Sequence, residues 1–295
     1  VRLLGWCAAL LAGVAPASLG QAAEAWVVQE GTSGSVRVEQ AAAVQGQVSI
    51  QQSGNNQRAD ARQSGGQGNT LSVQQSGSSN VANALQSGGE AQRLEVTQQG
   101  SGNTVFATQT GVPHGASALL SVQQAGLSGT ATASQTGSGA TGVVLQSASA
   151  SLARASLQQT GVGSTALIEQ GVDATDTRSL TIAARIAEAR SGQAVASPAQ
   201  QAVATILQFG GAGLSALVMQ SGAGASATVM QTGAYLEAEI QQSGGAHSAS
   251  LSQTGSGTAA APYRASIYQA GAQPLTVNVQ QVVGSSPRVI RVVQQ

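Results

Sequence analysis

The sequence predicts an all-β fold, a β-solenoid of stacked strand–turn–strand rungs with about 22–23 residues per rung. Three observations predict it. Gln75, Gln86, Gln98 and Gln109 recur at intervals of 11, 12 and 11 residues, each followed two positions later by a glycine. Apolar residues alternate ahead of the glutamines, as Leu71 and Val73 do before Gln75, and Leu94 and Val96 before Gln98. Alternation with a period of two marks a half-buried strand, and the following Ser-Gly or Thr-Gly marks a turn. Asn80 and Asn103 each stand five residues after one glutamine and six before the next, so the unit is Q-x4-N-x5-Q.

Side chains along a strand point alternately to opposite faces. With Gln75 inward, Asn69, Leu71 and Val73 are inward too, and on the next strand Asn80, Ala82, Ala84 and Gln86 are. Ser72, Gln74, Val81, Asn83 and Leu85 then face out. Each rung places an aliphatic strand against an alanine-rich one, with amides at the corners. A buried amide without a partner costs about 1–3 kcal/mol. Rungs about 4.8 Å apart let each amide bond its equivalent one rung away. The predicted stacking ladder is Gln52, Gln63, Gln75, Asn80, Gln86, Gln98, Asn103, Gln109, Gln124, Gln135, Gln146, Gln159, Gln220, Gln231, Gln242, Gln253 and Gln269. Gln29, Gln40, Gln170, Gln208 and Gln281 occupy the same slot by spacing.

In chain order, residues 1–25 read as a secretory signal peptide. Arg2 is the basic start, residues 3–14 are apolar, and small residues follow. The only cysteine, Cys7, lies inside that segment. Residues 26–170 carry repeats, with a longer loop expected at Val112, Pro113 and His114. In this stretch Gln57, Gly129 and Ser164 are read as substitutes in the Asn slot. Residues 171–207 are irregular and read as degenerate repeats or an insert. Leu180 and Ile182 alternate, and Arg190 stands where a ladder glutamine would, so degenerate strands are the preferred reading over a helix. Residues 208–295 resume the repeats, and the slots add up to roughly 11 rungs and a rod about 50 Å long.

Composition narrows the function. Aromatic residues are 2% and charged residues 8% of 295, with 38 glycines, 12 Lys and Arg, and 12 Asp and Glu. Net charge is zero, which leaves no basic footprint for nucleic acid. His114 and His247 are the only histidines and have no ligand cluster around them; His247 falls in an Asn slot. No G-x-S-x-G appears in a strand–turn–helix setting, and the acidic residues gather on no one face. No enzyme activity, metal or cofactor is expected. An ice-binding face would need a flat Thr-x-Thr array, whereas Thr110, Thr136, Thr160, Thr232 and Thr254 sit at turns.

The unit from Leu71 to Gln86 resembles the curlin repeat of bacterial curli subunits, Ser-x5-Gln-x4-Asn-x5-Gln. Gln75, Asn80 and Gln86 match it with Asn69 in place of Ser, and Gln98, Asn103 and Gln109 match it again with Gln92 in that place. The last strand, with Arg288, Ile290, Arg291, Val292 and Gln294, is similar to the closing repeat of the minor curlin subunit, the nucleator. The resemblance implies a secreted, extracellular functional amyloid of the biofilm matrix, a pilus-like fibre serving cell adhesion. It implies as partners other copies of the chain, other curlin subunits and a curli-type outer-membrane secretion channel. Main subunit and nucleator both stay open. Arg288, Ile290, Arg291, Val292 and Gln294 are the expected templating end, with Arg291 pointing outward. A soluble secreted β-solenoid adhesin or ligand-binding surface protein is the alternative.

Overall fold

A computed structural model describes residues 2–4, 23–112, 115–171, 186, 199–284 and 288–295. The described residues form two long parallel sheets facing each other across a thin core. The first sheet has twelve strands, beginning with Arg2–Leu4, Glu24–Thr32, Gln47–Asn55 and Thr70–Ser78 and ending with Tyr263–Gly271 and Val289–Gln294. The second has ten, from Ser35–Ala41, Arg58–Ser64 and Val81–Gly88 to Ser248–Ser256 and Thr276–Val282. From Glu24–Thr32 onward the strands of the two long sheets alternate between them along the chain, so the two halves of a rung face one another and do not pair as a hairpin. Each strand pairs in parallel with its equivalent one rung away, as Leu71↔Leu94, Val73↔Val96 and Gln75↔Gln98 do. The chain is therefore a β-solenoid, as its period predicts.

The expected inward set is the core. Leu71, Val73, Ala82, Ala84, Leu94, Val96, Leu120, Val122, Ala131 and Ala133 are all buried in one continuous cluster. Large residues face alanines only in the first half. Beyond it most strands bring one alanine and one branched residue, as in Ala216 and Val218 against Ala227 and Val229, whereas Thr276–Val282 brings Val277 and Val279. Either division fills the same thin layer, because the summed volume across a rung is what close packing constrains.

Glycines at the turns after several first-sheet strands stand in a column. Gly54, Gly77 and Gly100 have φ of +113°, +103° and +89°. A Cβ on Gly77 would lie 2.0 Å from the Gly100 carbonyl oxygen. The column thus requires glycine both for its backbone conformation and for the close approach of successive rungs.

The irregular segment does not break the stack. Thr165–Gln170 pairs directly with Ser215–Gly222, and Arg154–Val162 with Val203–Phe209. No degenerate rung stands between them in either long sheet. Within the segment Ala199–Gln200 pairs with Ala150–Ser151 in a separate two-stranded sheet. The proposed alternation at Leu180 and Ile182, Arg190 in its ladder slot, and His114 lie outside the described residues. Ile186 is described, and it is buried on the outer face of the first sheet with Val143, Leu145, Leu167, Leu217 and Met219. Those outward positions are covered, against the simple inward–outward division that holds at Leu85, which is 41% exposed.

The predicted signal peptide overlaps the fold. Glu24 and Ala25 belong to the strand Glu24–Thr32, and Arg2–Leu4 pairs with Trp26–Val28.

Candidate functional site: the amide ladders

Two buried columns of glutamine run along the rod, one per sheet. In the first sheet Gln52 Nε2 donates to Gln75 Oε1 at 2.6 Å, Gln75 to Gln98 at 2.7 Å, and Gln98 to Gln124 at 3.0 Å. The column goes on through Gln146, Gln170, Gln220, Gln242 and Gln269 to Gln294. In the second sheet it passes from Gln40 through Gln63, Gln86, Gln109, Gln135, Gln159, Gln208, Gln231 and Gln253 to Gln281. All the glutamines of the predicted ladder are in these columns, and Gln40, Gln170, Gln208, Gln281 and Gln294 join them. Spacing alone identifies the added members, since each falls in the same slot. The bond from Gln170 to Gln220 is 2.9 Å, so the ladder crosses the irregular segment unbroken.

The second amide hydrogen ties the sheets together. Gln75 Nε2 also donates to the Arg58 carbonyl, Gln86 to Thr70 and Gln98 to Val81, each at 3.1 Å. One glutamine thus bonds the next rung and the opposite sheet at once. Burial of such a group is favourable only when both hydrogens and the oxygen are satisfied. Repetition of the same residue on the rungs either side meets that condition at Gln75 and Gln98.

Asn80 and Asn103 work differently from the expectation of side-chain-to-side-chain bonds. Asn80 Oδ1 accepts the Asn103 backbone N–H at 3.0 Å, and its Nδ2 donates to the carbonyls of Ser76 and Gly100. Asn103 repeats this with the N–H of Gly129 and the carbonyls of Gln99 and Gly126. A short amide reaches the turn backbone but not its equivalent. The neighbouring rung therefore need not carry Asn, which is why Gly129 is tolerated. Gln57 reaches the Ser53 carbonyl in the same fashion. Ser164 belongs to the other corner, the one occupied by Asn69 and Gln92; its carbonyl accepts the Thr141 N–H there.

His247 fills an Asn slot completely. It is fully buried; its Nδ1 accepts the Leu275 N–H at 3.3 Å, so Nε2 carries the hydrogen and donates to the Ser243 carbonyl at 2.9 Å. His247→Asn keeps both bonds and should change stability by less than about 1 kcal/mol, whereas His247→Leu strands two backbone groups and should cost about 2–4 kcal/mol. Urea denaturation of the two variants measures the difference. Among the described residues no three His, Cys, Asp or Glu side chains group as metal ligands would.

At the far end, Ile290 and Val292 pack against the core, and Gln294 accepts from Gln269 at 3.1 Å. Arg291 points outward and lies over the Tyr268 ring at 5.0 Å, and Arg288 over Tyr263 at 5.7 Å. The Tyr268 hydroxyl donates to Glu239 Oε2 at 2.7 Å, and its pKa is pushed up to about 12 by burial first and by Glu239 second. A tyrosine raised from an unfolded value of about 10 stabilises the fold below that pH and loses the contribution as pH rises through its folded value. Between pH 10 and pH 12 the native chain should therefore lose more stability than Tyr268→Phe does, as read from denaturation midpoints.

One surface feature escaped the sequence reading. Thr132, Ser156, Thr205, Thr228, Ser250 and Asn278 stand in strict register on the outer face of the second sheet. The members of this column are spread over 146 residues of sequence, so no local period marks it. No family model matches the chain, and no curated protein is significantly similar to it. The architecture itself, a β-solenoid with two continuous buried amide ladders, is consistent with a structural or adhesin-like surface protein.

Proposed function

We propose that this chain is a structural subunit or nucleator of extracellular, curli-like amyloid fibres in biofilm matrix, and that it polymerises by end-to-end stacking of its sheets. On this reading it is secreted, passes a curli-type outer-membrane channel, and acts in adhesion through assembly and not through catalysis. Its partners are further copies of itself and other curlin subunits. The observation that carries the reading is the chemical equivalence of successive rungs. Each offers the next a parallel strand edge and a ladder amide in the same register, so a rung of another copy fits where an internal one does. Sheet edges of this kind are a template for further pairing, and a contact between unlike ends repeats without closing.

The outward hydroxyl and amide column favours a second reading, a soluble adhesin that binds a ligand along the second sheet. Thioflavin-T fluorescence of the purified chain, alone and as seed for a main curlin subunit, separates these. Fibre growth alone supports a main subunit, and a shortened lag for the partner at low ratio supports a nucleator. A monomer that neither grows nor seeds contradicts both and leaves the adhesin.

A further inference from the structure

The way two copies would meet is constrained by the ladder's sense, by strand number and by the burial of the last strand; the inference rests on the end-to-end reading above. Every glutamine bond runs from Nε2 of one rung to Oε1 of the next in chain order, as from Gln75 to Gln98 and from Gln86 to Gln109. The N-terminal end of the stack accordingly holds acceptors. Gln40 Oε1, both amide atoms of Gln29 and, one rung further in, Gln52 Oε1 have no hydrogen-bond partner, in side chains only 4%, 6% and 1% exposed. An unmet buried acceptor is costly, and a donor from the other end of a second copy removes the cost.

Strand number sets the register. From Glu24 to Gln294 the first sheet has eleven strands and the second ten. A second copy that placed Glu24–Thr32 on Val289–Gln294 would hold its Ser35–Ala41 a full extra rung, about 4.8 Å, from Thr276–Val282. The described residues put no second-sheet strand opposite Val289–Gln294. The strand is correspondingly shallow: Val289 is 64% and Val293 51% exposed, and even the inward Ile290 and Val292 are only partly buried.

We propose that copies dock head to tail with Ser35–Ala41 of the second copy against Thr276–Val282 and its Glu24–Thr32 against Tyr263–Gly271, and that Val289–Gln294 is a stopper that must first leave this edge. Gln269 then donates to the second copy's Gln29. The exchange replaces one parallel pair in the first sheet and adds one in the second, so both sheets become continuous. Arg2–Leu4 covers three residues of the same edge on the incoming copy and gives way in the same step.

A reversible lock tests this. Ser266 and Arg291 are direct partners across the last strand pair, and neighbouring strands about 4.8 Å apart lie within disulfide reach. The full chain with Cys7→Ser, Ser266→Cys and Arg291→Cys is followed by sedimentation velocity, oxidised and reduced. The oxidised form should associate slower by on the order of tenfold or more, with the rate restored by reductant, because exchange requires local release of the strand. Deletion of residues 289–295 should accelerate association. Equal rates in both redox states, or a slower deletion variant, overturn the stopper and leave end-to-end assembly standing. Absence of association in every form overturns both.

Discussion

Gln98→Ala should destabilise the folded chain by about 3–5 kcal/mol, because it strands several buried groups at once. Gln98 Nε2 donates to Gln124 Oε1 and to the Val81 carbonyl, and its own oxygen accepts from Gln75. Truncation leaves a donor on Gln75 and an acceptor on Gln124 without partners, each worth about 1–3 kcal/mol, removes one bond from the Val81 carbonyl, and opens a cavity besides. Gln74→Ala removes the same functional group one residue from the ladder, on the exposed outer face, and should shift stability by no more than about 0.5 kcal/mol. Urea midpoints of the pair measure the contrast. Hydrogen exchange adds location. Nearest-neighbour coupling in a solenoid should concentrate the Gln98→Ala loss of protection in Thr70–Ser78 and Leu119–Gln124, the strands flanking Arg93–Gln98. Equal effects of the two substitutions would mean that the buried column is ornamental.

Gly77→Ala should be comparably severe, for a different reason. At φ +103° an L residue is strained, and a Cβ would sit 2.0 Å from the Gly100 oxygen and 2.9 Å from its carbonyl carbon. Both atoms are backbone, so relief requires the rungs to part and strand pairing to open locally. A loss of more than about 3 kcal/mol, or failure to fold, is expected. Gly68 supplies the control. It has φ +64° with nothing within 4 Å of an added Cβ, so Gly68→Ala should cost only about 1–2 kcal/mol, the ordinary penalty of the left-handed region. Thermal melts of both variants distinguish a glycine needed for closeness from one needed only for conformation.

The ladder and the inward face were legible in the sequence because both rest on strict local rules. A period of two assigns each side chain to a face once a single residue is placed, and Gln75 places all the rest of its strand. Burial of Leu71, Val73, Ala82 and Ala84 follows directly. The outward-facing core was harder to see, although the sequence carries its signal. Val143-Val144-Leu145 and Leu217-Val218-Met219 are unbroken apolar runs, which mark strands covered on both faces. Reading them only for their inward members hides the covered outer face. The role of Asn80 was legible as to burial but not as to partner, since spacing cannot tell whether a short amide reaches the next side chain or the turn backbone. Direct pairing of Thr165–Gln170 with Ser215–Gly222 was not legible either. Local alternation at Leu180 and Ile182 competes with the longer-range register that joins equivalent strands 50 residues apart.

Assembly makes the sharpest demand on these ladders, and X-ray diffraction from an aligned, concentrated preparation of the full chain tests it most directly. Strands perpendicular to a fibre axis, stacked rung on rung across molecules, should give a meridional reflection at about 4.7–4.8 Å and an equatorial one near 10 Å. Specimens that show no such reflections, from a chain that sediments as a monomer at the same concentration, would contradict end-to-end assembly while leaving the solenoid fold intact.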